Sequence, residues 1–233
     1  MLKNKTKKIL AEDIFNILKE EILSTDLPPG TILDEASLMS RFDVSRTPVR
    51  EVIRRLISID LVGMESHRSA YVKSLTLEEI SQFFEAYQLI QRLVFVLSAN
   101  RITKEQVDSI SKVESQIEKA YQKRDIHAIR RLNDNFYGMV AVNCHNKYLH
   151  DLYVKLREFG SRLSAIMHKS LSGDDWESQA VTLRRDHEKI IDVLYKNDSQ
   201  RIGDISDQDV ALYMKRFNQS LDRSRPSNAR FGL

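Results

Sequence analysis

The apolar positions of this chain change rhythm along its length, and each change marks a different kind of element. Ile14, Ile17, Leu18 and Ile22 recur at helical spacing and predict an amphipathic helix. Asp26-Leu27-Pro28-Pro29-Gly30 must end it, because consecutive prolines and a glycine cannot continue a helix. Leu38, Met39 and Phe42 mark a short second helix from Glu35 to Phe42, and Asp43 and Val44 lead into a third that opens at Ser45 and closes by Leu61. Two short helices joined by so brief a turn have the spacing of a helix-turn-helix. The segments 62–65 and 70–73 are strand-like and flank Ser66-His67-Arg68-Ser69, which predicts a small β-hairpin beside the helices, a wing.

From Thr76 the helical rhythm lengthens. Two capping-box signatures, Thr76-x-x-Glu79 and Thr103-x-x-Gln106, open long helices. Apolar stripes follow at Ile80, Phe83, Phe84, Tyr87, Ile90, Val94 and Leu97, and at Val107, Ile110, Ile117 and Tyr121. Others lie at Ile129, Phe136 and Val140, and at Leu149, Leu152, Leu156, Phe159, Leu163 and Ile166. The last two hold Leu183, His187, Ile190 and Leu194, then Val210, Tyr213, Phe217 and Leu221. Six helices with short connections predict an antiparallel bundle. The fold class is therefore mainly α: an N-terminal winged helix-turn-helix with a small β-hairpin (1–74), an all-helical bundle (75–223), and a flexible tail (224–233).

Composition agrees with that reading. Of 233 residues 42% are hydrophobic and 30% charged, with only 7 Gly and 4 Pro, which favours helices over a turn-rich β architecture. A net charge of +3 is too small to argue for nucleic acid, so any electrostatic case rests on local clusters. Arg41, Arg46, Arg50, Arg54 and Arg55 lie in one such cluster against Asp43 and Glu51. Lys3, Lys5, Lys7 and Lys8 are either a DNA-binding arm or a solvated tail. Cys144, the single cysteine, excludes an intrachain disulfide and fits a reducing compartment. With no long apolar run and no apolar region before Glu12 and Asp13, neither a membrane span nor a signal peptide is expected, and a cytoplasmic location is.

The basic cluster coincides with the third helix. Ser45 is a favourable N-cap, Pro48 suits the first turn, and Arg46, Thr47 and Arg50 project from the helix start, where arginines suit phosphates and guanine edges. Arg54 and Arg55 lie deeper, where DNA contact competes with a structural ion pair. His67 and Arg68 at the hairpin tip are candidates for phosphate or minor-groove contact, against a plain structural turn.

The order of a first helix, Leu27-Pro28-Pro29-Gly30, Leu33-x-Glu35, the run from Val44 to Arg50, Leu61-Val62 and a wing resembles the N-terminal domain of the GntR family of bacterial transcription factors. The all-α remainder resembles the helical effector domain, called FCD, of that family's FadR-like branch. The resemblance implies that Arg46, Thr47 and Arg50 contact double-stranded operator DNA, with Ser45 at the helix entrance. It also implies a homodimer that binds a short pseudo-palindrome. Ala36 stands where relatives often carry an arginine, and Ser69 where a glycine is common in the wing.

FCD domains often hold a divalent metal through an Asp-x-x-x-His pair and two later histidines. The corresponding positions here are Asn133, Tyr137 and His187, with Asp209 as the last, or Phe217 if Ser206 caps the final helix. An amide and a phenol are poor metal ligands, so no cofactor is expected. A retained metal would have to use Asp134 or Asp209 with His187. Asn133, Tyr137 and His187 instead suit a polar cavity for a small-molecule effector, with Arg162 as the partner of an effector carboxylate. Tyr87 and Gln91 replace the Arg and Glu usual in relatives. Two other functions stay open: a metal-dependent helical-bundle enzyme, which lacks any nucleophile-base pair or Gly-rich phosphate loop here, and an architectural DNA binder that responds to no effector.

Overall fold

The structure, a computed structural model, describes residues 10–65 and 69–223. Lys3, Lys5, Lys7 and Lys8, the hairpin-tip residues His67 and Arg68, and the tail from Ser224 lie outside the described residues. The chain divides between Leu75 and Thr76 into two compact units.

The first unit contains α1 (Ala11–Leu23), β1 (Ile32–Leu33), α2 (Glu35–Phe42), α3 (Arg46–Ser58), β2 (Val62–Met64) and β3 (Ala70–Val72). Ile14, Leu18 and Ile22 of α1 are fully buried against Val52 and Leu56 of α3 in one apolar core with Leu38 and Phe42. Ile17, counted in the sequence stripe, is exposed, and Phe15 and Leu23 take inward positions instead. Gly30 adopts a left-handed φ of 83° and its N–H donates to the Val72 carbonyl at 2.8 Å. That turn delivers the chain into β1, so the hairpin becomes a three-stranded antiparallel sheet in the order β1-β3-β2. Periodicity does not reveal β1, since two residues are too few to show alternation.

α2 is capped by Asp34, which accepts from the Ser37 N–H at 2.7 Å, and ends at Asp43 with a left-handed φ of 52°. α3 starts where expected, with Ser45 as the extended N-cap residue, but the Ser45 side chain makes no capping hydrogen bond. Pro48 supplies a reason: it occupies the third helical position, where a cap would find its donor, and has no N–H.

The second unit comprises α4 (Leu77–Ala99), α5 (Lys104–Gln122), α6 (Ile126–Ala141), α7 (Lys147–Lys169), α8 (Asp175–Tyr195) and α9 (Ser199–Arg223), with a 3-10 turn over Val142–Cys144. Both capping boxes form: Thr76 Oγ1 accepts from the Glu79 N–H at 3.1 Å while Glu79 accepts from the Thr76 N–H at 2.8 Å, and Thr103 and Gln106 do the same. The helices pack in a closed circuit, α4 on α9, α9 on α8, α8 on α5, α5 on α6, α6 on α7 and α7 back on α4.

The α7 stripe corrects the sequence reading. Leu152 is exposed, and the inward face carries Tyr153, Gly160, Ser161, Ser164 and His168. The circuit therefore encloses polar chemistry at the level of α7. Among the described residues no helix is long and apolar enough to cross a membrane.

Candidate functional site

On the first unit, Arg46, Thr47, Arg50 and Arg54 share the outer face of α3 and line one shallow hollow with Glu51, Arg55 and Ser58. The side chains of Arg46 and Arg50 are 64% and 52% exposed. One carboxylate addresses both: Glu35, the first residue of α2, accepts from Arg46 Nε at 2.7 Å and from Arg50 Nε at 2.8 Å through different oxygens. The hydrogen bond from Arg50, supported by that from Arg46, holds Glu35 below the usual carboxylate range despite the opposing effect of burial. Two other arginines of the cluster, Arg41 and Arg55, serve the fold. Arg41 pairs with Glu21 of α1 through both terminal nitrogens, and Arg55 pairs with Glu12 at 2.7 Å while lying 3.9 Å over the Phe15 ring.

On the second unit, the circuit of helices encloses a small cavity to which every one of α4 to α9 contributes. The space open to the centre of a water-sized sphere is about 40 Å³, room for roughly three waters. Arg157 of α7 is its central cation. It donates to Tyr87 Oη at 3.0 Å and to Asp134 at 2.5 Å, and lies 4.4 Å over the Tyr137 ring. Burial alone would pull the Arg157 guanidinium down, but Tyr87, Asp134 and Tyr153 more than offset that, so it stays charged. Arg216 of α9 is a second cation in the lining and pairs with the buried Asp186.

Asp209 closes the network on the opposite side. It accepts from Tyr137 Oη at 2.9 Å and from Gln91 Nε2 at 2.9 Å, and Gln91 Oε1 accepts from Tyr153 Oη at 3.2 Å. Burial raises the Asp209 carboxyl, while the Gln91 and Tyr137 hydrogen bonds pull it back. His168 has a defined tautomer. Nδ1 lies 2.7 Å from the Ser164 carbonyl and must donate, so Nε2 accepts from Tyr121 Oη at 2.6 Å. Burial pushes this imidazole down to about 4, so it is neutral at physiological pH. Two buried polar atoms of the lining residues have no partner among the described residues: Asn133 Oδ1 and Arg157 Nε.

Of the four positions that the resemblance marks for metal ligands, Asn133, Tyr137 and Asp209 line the cavity and His187 does not. Ser206 lies inside α9, which leaves Asp209 rather than Phe217 as the last position. Tyr137 is a protonated phenol, its ionisation disfavoured by burial and by Asp209, and it donates to the carboxylate that a cation would need. His187 is fully buried, turns Nδ1 to Glu114, and stacks 3.9 Å from the Phe136 ring. Asp134 is taken by Arg157 and Ser161. Among the described residues no three His, Cys, Asp or Glu side chains converge as a metal would require. The donor set does not fit a divalent ion.

Of the residues the sequence singles out for an effector, Asn133 and Tyr137 line the cavity, while Arg162 and His187 are outside its lining. His187 sits behind Phe136, and Arg162 is buried, which pulls its guanidinium down and is only partly offset by Glu79. Sequence reasoning missed Arg157, Arg216 and His168. Arg157 flanks the same α7 stripe as Arg162; both are turned inward, and only the rotation of the helix decides that Arg157 reaches the cavity.

Comparison with known proteins covers both units. Residues 10–72 match the family described as "Bacterial regulatory proteins, gntR family", and residues 82–211 match "FCD domain". The "HTH-type transcriptional repressor RspR" of Escherichia coli K12 is 24% identical over 218 residues, 94% of this chain and 91% of the relative. The "Gluconate operon transcriptional repressor" of Bacillus licheniformis is 23% identical over 205 residues, 88% of this chain and 79% of the relative. The solved structure of E. coli McbR/YncC superposes with a TM-score of 0.73 at 18% identity, covering 90% of this chain and 99% of that one, and so shares the fold.

Proposed function

Since this chain belongs to the GntR family and is a transcriptional regulator with an FCD domain rather than an enzyme, we propose that it binds a pseudo-palindromic operator as a homodimer, under control of a small-molecule effector. The observation that carries the DNA reading is the pair Arg46 and Arg50, one turn apart and exposed at the start of α3. Arginines there donate in a fork to guanine O6 and N7 or to phosphate. Two copies would place their α3 helices in successive major grooves about 34 Å apart. Exposed Leu89 and Leu93, one turn apart on α4, provide apolar surface for a second copy. Operator DNA places this activity in the bacterial cytoplasm.

The effector reading rests on the cavity. Arg157 offers a guanidinium whose Nε–H is unused, and Asn133 an unpaired carbonyl that needs a donor. A short hydroxy acid supplies both, a carboxylate for Arg157 and a hydroxyl for Asn133. One relative is named for a gluconate operon, a hydroxy-acid context. The site works without a metal, because Tyr137 and Gln91 satisfy Asp209 in its place.

Selection from a random-sequence duplex pool tests the first part. The expected product is a pseudo-palindrome with half-sites about one helical turn apart. A pool without enrichment would instead favour an architectural DNA binder. Thermal unfolding with a series of short hydroxy acids tests the second: one of them should raise Tm and change operator affinity, and no response across the series would remove the effector reading.

A further inference from the structure

We infer that Glu35 is a positioning residue for DNA reading: its single carboxylate fixes Arg46 and Arg50 in one arrangement before DNA arrives, and thereby sets sequence specificity. This rests on the reading that α3 enters the operator. Each Glu35 oxygen takes one Nε–H, at 2.8 Å from Arg50 and 2.7 Å from Arg46. An arginine has five N–H groups, and binding at Nε leaves the four on the terminal nitrogens for a base edge or phosphate. Both long side chains, more than half exposed, thus lose much of their rotamer freedom in the free protein. DNA that matches the fixed forks need not order them again.

Other uses of Glu35 do not account for the geometry. The N-cap of α2 is Asp34, through Ser37, so Glu35 is not needed as the cap. Leu38 and Phe42 bury α2 in the core that contains Val49, Val52 and Leu56 of α3, so the two helices are joined without it. A carboxylate at a DNA-facing surface also repels phosphate, which makes it costly for general affinity. Its placement between two guanidiniums is therefore best explained by what it does to them. The same charge penalises any duplex that attracts the arginines without satisfying their forks.

The test uses the full-length chain with Glu35→Gln, which keeps the shape and removes the charge. Dissociation constants are measured on the selected operator and on a scrambled duplex, over a salt series. The expected result is that the specific-to-scrambled affinity ratio falls about tenfold, the worth of one good bidentate base contact, while scrambled binding holds or tightens. Parallel tightening on both duplexes with an unchanged ratio would overturn the inference, leaving Glu35 a simple repulsive charge. A large fall in Tm would overturn it as well, by showing a structural role. Glu35→Gln is also made in an Arg46→Ala/Arg50→Ala background, where it should leave the ratio unchanged; a further change there would mean that Glu35 acts through something else. If the arginine variants alone leave operator binding intact, the reading of α3 fails and this inference falls with it, which separates the two.

Discussion

The two units of this protein use the same ion pair, arginine with carboxylate, for opposite ends. On α3 the pairs of Arg46 and Arg50 with Glu35 are exposed and joined through one carboxylate. Inside the bundle, Arg216 and Asp186 are both buried, and Arg157 is buried beside Asp134, whose side chain stays 30% exposed. An exposed pair is worth about 0–1 kcal/mol, and Glu35 takes only Nε of Arg46 and Arg50, so their terminal nitrogens stay open to another partner. A buried pair costs several kcal/mol to break, so it fixes the helices around a cavity. The difference teaches where adaptability is kept: the outer face of α3 leaves guanidinium N–H groups open to a partner, whereas the bundle ties its guanidiniums between helices.

Breaking an interior pair tests this contrast most severely. Arg157→Met should destabilise the protein to denaturant by about 2 kcal/mol, because Tyr87 loses its cation and the part-exposed Asp134 keeps only the longer contact with Arg130 and the Ser161 hydroxyl. A loss under about 1 kcal/mol would erase the distinction, since it would equal a surface pair. Acid should then act on the bundle. His168 is held down to about 4, below the ordinary imidazole value, so the folded state binds its proton less readily than the unfolded chain. The stability this group confers is complete above about pH 6.5 and is lost progressively toward pH 4, by roughly 3 kcal/mol. His168→Gln should flatten that part of a pH series of unfolding curves.

Smaller effects sharpen the other side. Arg46→Ala and Arg50→Ala should each weaken operator binding by about 1–3 kcal/mol in a polarisation titration. Neither should change stability by more than roughly 0.5 kcal/mol, since both sites are on the surface. Tyr137→Phe should cost about 1 kcal/mol of stability through the lost hydrogen bond to Asp209, with operator binding retained in the absence of effector.

The contrast also explains what the sequence could show. Helices α2 and α3 and both capping boxes are written in neighbouring residues, so periodicity and cap chemistry place them nearly to the residue. Even there, partners far along the chain are hidden: Arg41 looks like part of a DNA-binding cluster, yet it is tied to Glu21, 20 residues earlier. In the bundle the number of helices is legible and the interior is not. Gln91 and Asp209 meet across 118 residues, and no local pattern announces that. Family resemblance points to Asn133 and Tyr137, whereas nothing local separates Arg157 from Arg162, because both flank one stripe. Function carried on an outer face is readable from one helix; function carried inside a circuit of six needs the circuit.

The proposed reading of sequence by α3 rests on its paired arginines. Polarisation titration of a labelled selected operator and a scrambled duplex with wild-type and Arg50→Ala protein, at about 0.15 M ionic strength, tests it most directly. The wild type should favour the operator by about 1000-fold or more, and the variant should lose about 10-fold or more of that preference while binding scrambled DNA with nearly the same affinity. Equal affinity of the wild type for both duplexes, or an equal loss on both in the variant, would contradict it.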